Sequence, residues 1–327
     1  DGESDELCDI TGETAVIITD RTPFYGEGGG QVGDRGVIMG QNGYAIVTDT
    51  KKTDGVYMHV CKIESGALSV GDHVTLTVDA SHRAAVARNH SAVHLLDAAL
   101  RDVLGTHIRQ AGSYVDDKEA RFDFTHFAAV TPDELARVEL MVNEKILDGI
   151  PVSTLEMDIE SAKKSGAIAL FGEKYGNIVR VVKMGDFSAE LCGGTHVDNT
   201  AKIGLFKITM ESSVAAGTRR ITAVSGFGSY QRMVQEETLI SSAMKTLKAA
   251  TSADMLVKIA ALTDDLKNVK KELEGASAKL ASAKAASMLA AATDVMGIKV
   301  ASMQTELSVS TARLLGDNLK ARYPDMI

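Results

Sequence analysis

The 327-residue sequence predicts an α+β protein, and three observations carry that expectation. Short β-branched runs, punctuated by Gly, Asn and Asp turns, fill the first 80 residues. Strand-like and amphipathic helical segments then alternate to about residue 228, after which a long Ala-, Lys- and Leu-rich stretch begins. Four parts are expected: a small β-barrel over 1–80, an α+β domain with a metal site over 81–228, a helical hairpin or coiled coil over 229–295, and the start of a truncated α/β unit over 296–327.

In the first part, strands are expected at 14–19, 36–39, 44–48, 56–60 and 73–78, bounded by turn sequences such as Gln41-Asn-Gly43 and Thr53-Asp-Gly55. Short strands at this spacing suggest a small barrel. Between the first two lies Thr22-Pro-Phe-Tyr-Gly-Glu-Gly-Gly-Gly-Gln-Val-Gly33. Gly28, Gly29 and Gly30 lack a Cβ, which lets the backbone approach a ligand or another backbone closely. A mobile hairpin loop is the plainer reading of the same composition.

Apolar residues at Ala85, Val86, Val93, Leu96, Leu100, Val103 and Leu104 fit one helix over 81–104, with Gly105 as its stop. Gln110 falls in a turn that leads into a strand, and 121–124 alternates like another strand. Thr131-Pro-Asp-Glu134 opens a helix that should run to about residue 147, with Pro at its first position and acids in its first turn. Strands follow at 152–156 and 178–183, with a short helix near 159–166 between them, and then at 206–211 and 218–224.

From residue 230 the composition changes, and helices are expected over 230–250 and 252–293. Ser252, Met255, Ile259, Leu262, Leu266, Val269, Leu273, Ala276, Leu280, Ala283, Ser287 and Ala290 alternate steps of three and four, which is a heptad seam. Its small residues imply close approach of a partner helix, supplied either by a hairpin or by a second copy of the chain. Residues 297–302 read as a strand and 308–322 as a helix. One strand and one helix cannot bury a core alone, so the end at Asp325-Met-Ile327 is expected to open a further domain. The start, without Met and without a basic-then-apolar leader pattern, is expected to be that of a processed or excised piece.

No stretch approaches the roughly 18 apolar residues of a membrane span, so no membrane partner is expected. Net charge is −9, yet residues 1–80 hold 5 Lys and Arg against 14 Asp and Glu while the remaining 247 hold 30 of each sign. The acidic surplus belongs to one part, and basic patches that could meet nucleic acid are open elsewhere. Three cysteines, an odd and small number, argue against a disulfide framework; Cys8 and Cys61 are expected to be buried thiols in a reducing compartment.

The chemistry gathers in two segments. Arg88-Asn-His90-Ser-Ala-Val-His94 puts two imidazoles one turn apart on a helix face. Cys192-Gly-Gly-Thr-His196 can close on the same point, because Gly193 and Gly194 free the turn. His90, His94, Cys192 and His196 form a nitrogen and sulfur set that suits Zn²⁺. Four protein ligands fit a structural zinc, and a catalytic zinc would keep one position for water or substrate. Gln110, Thr195, Arg219 and Arg220 are further candidates: the glutamine to orient a water or carbonyl, and an arginine to clamp phosphate. Consecutive arginines on a strand point to opposite faces, so at most one should face a site.

Three segments together carry a family resemblance: Arg88-Asn-His-Ser-Ala-Val-His-Leu-Leu96, Glu190-Leu-Cys-Gly-Gly-Thr-His-Val197 and Ala216-Gly-Thr-Arg-Arg-Ile-Thr-Ala-Val224. They resemble the editing domain of alanyl-tRNA synthetases, and the glycine-rich segment 22–34 is similar to a motif in the β-barrel before it. The resemblance implies a hydrolase that deacylates tRNA(Ala) mischarged with serine or glycine, without the ATP-dependent aminoacylation domain. It implies zinc at His90, His94, Cys192 and His196, with Gln110, Cys192 and Thr195 in the catalytic pocket. It also implies that Gly28, Gly29, Gly30, Arg88, Gly193, Gly194 and Arg219 meet the tRNA 3′ end, in a cytoplasmic or organellar setting. Val93 departs from the family, which commonly has Thr there. Three other readings stay open: a free-standing trans-editing protein, a relative of threonyl-tRNA synthetase, and a zinc-stapled tRNA-binding or dimerisation module without hydrolase activity.

Overall fold

The computed structural model describes residues 7–8, 12–168 and 176–322, and its architecture is mixed α and β, with small antiparallel sheets and six α-helices among the described residues. The chain forms two compact units, Asp1–Gln235 and Glu236–Ile327.

In the first unit, β1 (Leu7–Cys8) pairs with β6 (Leu68–Ser69). Strands β2 (Thr14–Ile17), β3 (Gly36–Met39), β4 (Gly43–Thr53), β5 (Val56–Gly66) and β7 (Thr75–Val78) make an antiparallel sheet in the order β2-β5-β4-β3-β7. Alternation along β4 and β5 turns Ala45, Val47, Cys61 and Ile63 onto one face, where they pack with Phe24, Ile38 and Leu68. The thiol of Cys61 is buried as expected, whereas the side chain of Cys8 lies outside the described residues.

Helix α1 (Ala80–Leu104) is the element around which the larger core assembles. Asp79 caps it by accepting the N–H groups of Ser81 and His82, and Gly105, at φ +113°, ends it. Its Val86, Val93, Leu96 and Leu100 meet Phe122 and Phe124 of β9 (Ala120–Thr125) and Val138 and Val142 of α2 (Pro132–Leu147) in one cluster. Each of those large side chains contributes about 1.5–3 kcal/mol by leaving water. The capping box of Thr131 and Glu134 starts α2 where the sequence placed it.

Strand β9 lies in a four-stranded antiparallel sheet with β8 (Gln110–Val115), β13 (Phe206–Ala215) and β14 (Thr218–Ser225), in the order β13-β14-β9-β8. A second sheet joins β10 (Val152–Asp158), β11 (Ile178–Met184) and β12 (Ser188–Leu191), with α3 (Ile159–Lys164) after β10. Strand β12 delivers the chain into the 192–196 turn.

Helix α4 (Phe227–Leu247) runs across the boundary of the two units. In the second unit, α5 (Ser252–Ala290) packs along α6 (Val309–Arg322) through Ala281, Ala285 and Leu315, flanked by Met288, Met303, Leu307 and Leu319. Small residues there allow close approach, as their composition suggested. The buried pair lies off the heptad stripe, however: Ile259, Leu262, Leu266, Val269 and Leu273 are all exposed. Helix α5 also stops three residues before the expected 293, because β15 (Thr293–Val295) turns back on β16 (Ile298–Val300). Met296 and Gly297 both have positive φ, the requirement of a two-residue hairpin turn, so the expected 297–302 strand is shorter. The end segment 323–327, expected to open a further domain, lies outside the described residues. Among the described residues no helix is long and apolar enough to cross a membrane.

Candidate metal centre

The helical spacing of His90 and His94 places both rings on the buried side of α1, and the turn after β12 brings Cys192 and His196 to them. One ligand atom from each of the four lies within 4.8 Å of every other, so the group could hold a metal ion. Cys192 Sγ is 3.4 Å from His90 Nε2 and 3.3 Å from His196 Nε2. Those separations fit the donor set: donors on a tetrahedral zinc, at about 2.0–2.3 Å from the ion, stand roughly 3.5 Å apart.

Electrostatics keep the imidazoles in the ligand form. Burial lowers His90 and His196 well below the ordinary histidine range and His94 to about 3, and the positive Arg180 pushes each the same way. All three are therefore neutral at pH 7, with a lone pair available. Arg180 Nη1 donates to the carbonyls of Cys192 and Gly194, which ties the turn to β11.

Two of the three rings have a hydrogen-bond partner on the far side. Gln31 Oε1 is 2.7 Å from His90 Nδ1, and Ser91 Oγ is 3.0 Å from His196 Nδ1. Glu190 Oε2 is 3.6 Å from His94 Nδ1, beyond hydrogen-bond reach. Burial raises Glu190 to about 7, and burial with the nearby Glu190 charge raises Asp97 to about 7 even though Arg101 pairs with Asp97.

Beside the cluster opens a cavity of about 440 Å³, lined by Gly28, Gly29, Val93, Gln110, Arg180, Gly193 and Gly194 together with His90, His94 and Cys192. Tyr25, Lys52, Tyr57 and Ser113 complete much of its rim. Gln110 Nε2 donates to Ser113 Oγ at 3.2 Å. Thr195 stands behind the turn, its N–H donating to Gln31 Oε1 and its Oγ1 accepting from Gln31 Nε2.

The remaining sequence candidates lie away from the cavity lining. Gly30 packs against Ser113, where a Cβ would overlap the Ser113 carbonyl. Arg88 packs beside Gly226. Arg219 makes a bidentate pair with Glu211 at 2.6 and 2.7 Å, and Arg220 does the same with Asp123 at 2.7 and 2.8 Å. The opposite-face argument holds for the two arginines, but carboxylates occupy both.

Sequence reasoning missed Gln31, Ser91, Glu190 and Arg180 as partners of the cluster. Gln31 and Glu190 sat inside quoted motifs, and Ser91 lies between the two histidines. Only their distance from the ligands in space, which the sequence does not display, gives them a part.

Two parts of the chain match families of known proteins. Residues 179–222 match the family described as "Threonyl and Alanyl tRNA synthetase second additional domain". Residues 3–82 match the family described as "tRNA synthetases class II (A)". Proteins named alanine–tRNA ligase are similar along nearly the whole chain. That of Acetivibrio thermocellus is 47% identical over 311 residues, covering 94% of this chain and 35% of the relative. Those of Bacillus velezensis and Geobacillus thermodenitrificans are each 46% identical, covering 95% of this chain and 36% of the relative. The chain spans about a third of the length of the curated relatives it matches.

Proposed function

We propose that this chain, similar over 94% of its length to part of alanine–tRNA ligases, is an aminoacyl-tRNA deacylase that removes serine or glycine from mischarged tRNA(Ala). The observation that supports the reading best is the cavity itself. It joins the His90, His94, Cys192 and His196 cluster to Gln110 and to the glycine-rich Gly28 and Gly29, segments far apart in sequence.

Zn²⁺ would be held by the three imidazoles and the Cys192 thiolate. When bound it supplies a fixed positive charge and Lewis acidity close to the ester. With four protein donors available, positioning of the 3′-terminal adenosine is the role we assign to it. The open glycine backbones give the nucleotide room, since a Cβ at Gly29 or Gly193 would meet nothing within 4 Å. Gln110 and Arg180 present an amide and a cation towards the cavity, suited to hold the ester carbonyl as its oxygen gains negative charge. Water then adds to the carbonyl carbon, the bond to the ribose oxygen breaks, and the products are the free amino acid and the tRNA 3′ hydroxyl.

Selectivity would come from hydrogen bonds to the serine hydroxyl that alanine cannot make. Val93, buried on the cavity wall, offers none, so Gln110 and Ser113 are the nearer polar groups for that task. We assign hydrolysis to 81–228, with 1–80 supplying the glycine-rich wall and the helical region 229–295 pairing two chains through its exposed seam. We place the protein in the cytoplasm, where reducing conditions keep Cys192 a thiol.

Deacylation of seryl-tRNA(Ala) by the chain and by its Gln110→Ala variant tests this reading. A drop of about 10-fold or more in the variant is expected. No serine release by the native chain at high concentration would favour a tRNA-binding module instead.

A further inference from the structure

We infer that Gln31, from the glycine-rich segment, is a positioning residue of the metal centre: it fixes the tautomer and ring orientation of His90. The inference rests on the metal reading of the four-residue cluster and is independent of the deacylation chemistry.

A backbone N–H can only donate. The backbone N–H of Thr195 lies 2.8 Å from Gln31 Oε1, which identifies that atom as the amide oxygen. Gln31 Nε2, the other end, donates to Thr195 Oγ1 at 2.9 Å. An amide oxygen cannot donate, so the 2.7 Å contact with His90 requires the proton to sit on Nδ1. Nε2 then keeps its lone pair, and Nε2 is the atom 3.4 Å from Cys192 Sγ. One amide thus sets which imidazole nitrogen faces the ligand cluster.

Gln31 is itself held rigidly. It is 0% exposed, and its backbone exchanges both hydrogen bonds with Gly28. On its other side Val32 N–H donates to Val115 and Val115 N–H to Gly30, so β8 grips the segment. The second glycine of the 192–196 turn fits the same purpose. A Cβ at Gly194 would overlap the His90 ring and stand 2.7 Å from Gln31 Oε1. Gly194 therefore leaves the space through which the amide reaches the imidazole, while Gly193 has open space around it.

The test measures metal binding by the full chain with Co²⁺ as probe, through its visible absorption and by competition with a chelator. Gln31→Leu removes the acceptor and is expected to weaken Co²⁺ binding about 10–100-fold. Gln31→Glu still offers an oxygen to both Thr195 N–H and His90 Nδ1–H, and is expected to restore affinity to within a few-fold and to keep the native Co²⁺ spectrum. Long-range ¹H–¹⁵N spectra of the metal-free native chain give a readout that needs no variant, with the His90 proton expected on Nδ1. A proton on Nε2, native-like affinity in Gln31→Leu, equal losses in both variants, or no Co²⁺ binding by the native chain would each overturn the inference. A chain inert towards seryl-tRNA(Ala) that shows the expected pattern would count against the hydrolytic reading alone.

Discussion

Gln31 and His90, 59 residues apart in sequence, meet at 2.7 Å with the amide oxygen of one against the ring Nδ1 of the other. The contact makes the glycine-rich segment part of the wall of the histidine cluster as well as of the cavity. It also separates the glycines into two kinds, those that leave room for packing within the protein and those that leave open space.

That division predicts different fates for the two glycines of the 192–196 turn. Gly194→Ala drives a methyl into the His90 ring, and should cost about 1–3 kcal/mol of stability with loss of metal affinity. Gly193→Ala meets nothing within 4 Å and should fold and bind Co²⁺ like the native chain, while slowing deacylation if the tRNA end passes over it. Thermal melts and Co²⁺ titrations of the pair distinguish these outcomes; equal metal binding by both variants would contradict the division.

Ser91 supports His196 as Gln31 supports His90. Its Oγ is 3.0 Å from His196 Nδ1 and accepts the N–H of Val197 at 3.1 Å. Ser91→Ala should weaken Co²⁺ binding about 10-fold. It should lower stability by about 1 kcal/mol through the unpaired Val197 N–H. Chelator competition and urea unfolding measure the two effects separately, and an unchanged Co²⁺ affinity would exclude the supporting role.

The pair of Glu211 and Arg219 predicts a pH dependence of stability. Hydrogen bonds from Arg219 hold the Glu211 carboxyl below its ordinary range. A depressed carboxyl contributes stability that is present above the unfolded value, near about 4.3, and lost as pH falls through the lower folded value. Glu211→Gln should therefore lower stability at pH 7, where the native carboxylate is charged and paired with Arg219. The difference from the native chain should shrink below pH 4. Urea unfolding at pH 7 and pH 3 checks this, and a gap that stays constant would show that the ion pair is not its source.

Helix α5 leaves Ile259 at 44% and Leu273 at 66% exposure along one stripe. If that stripe pairs two chains, Leu262→Asp with Leu266→Asp should convert a dimer to a monomer in light scattering. Such a change would leave the α5 and α6 contact through Ala281 and Leu315 untouched. A native chain that is monomeric across a broad concentration range would remove the pairing role.

Much of this architecture was legible in the sequence because local signals and burial agreed. The proline and first-turn acids after Thr131, the stop at Gly105 and the β-branched run 44–48 each named an element that the structure contains. The four-residue cluster was legible for a similar reason: helical spacing joins His90 to His94, and a short turn joins Cys192 to His196. What joins the two halves is tertiary, and so are Arg180 on β11 and Gln31 beside β8. Arg219 shows the opposite failure. Its residue type suits phosphate, but Glu211 across the β13–β14 pair already satisfies it. The heptad seam of α5 marked an apolar stripe correctly without telling which stripe a neighbouring helix within the chain would cover.

The central claim is that the cavity beside His90, His94, Cys192 and His196 removes the wrong amino acid from tRNA(Ala). Single-turnover release of serine from seryl-tRNA(Ala), with alanyl-tRNA(Ala) as the paired control, tests it most directly. Fast serine release and slow alanine release are expected of the zinc-loaded chain, with serine release lost in chelator and regained when zinc is restored. Equal release of the two amino acids, or serine release that persists undiminished after complete removal of the metal, would contradict it.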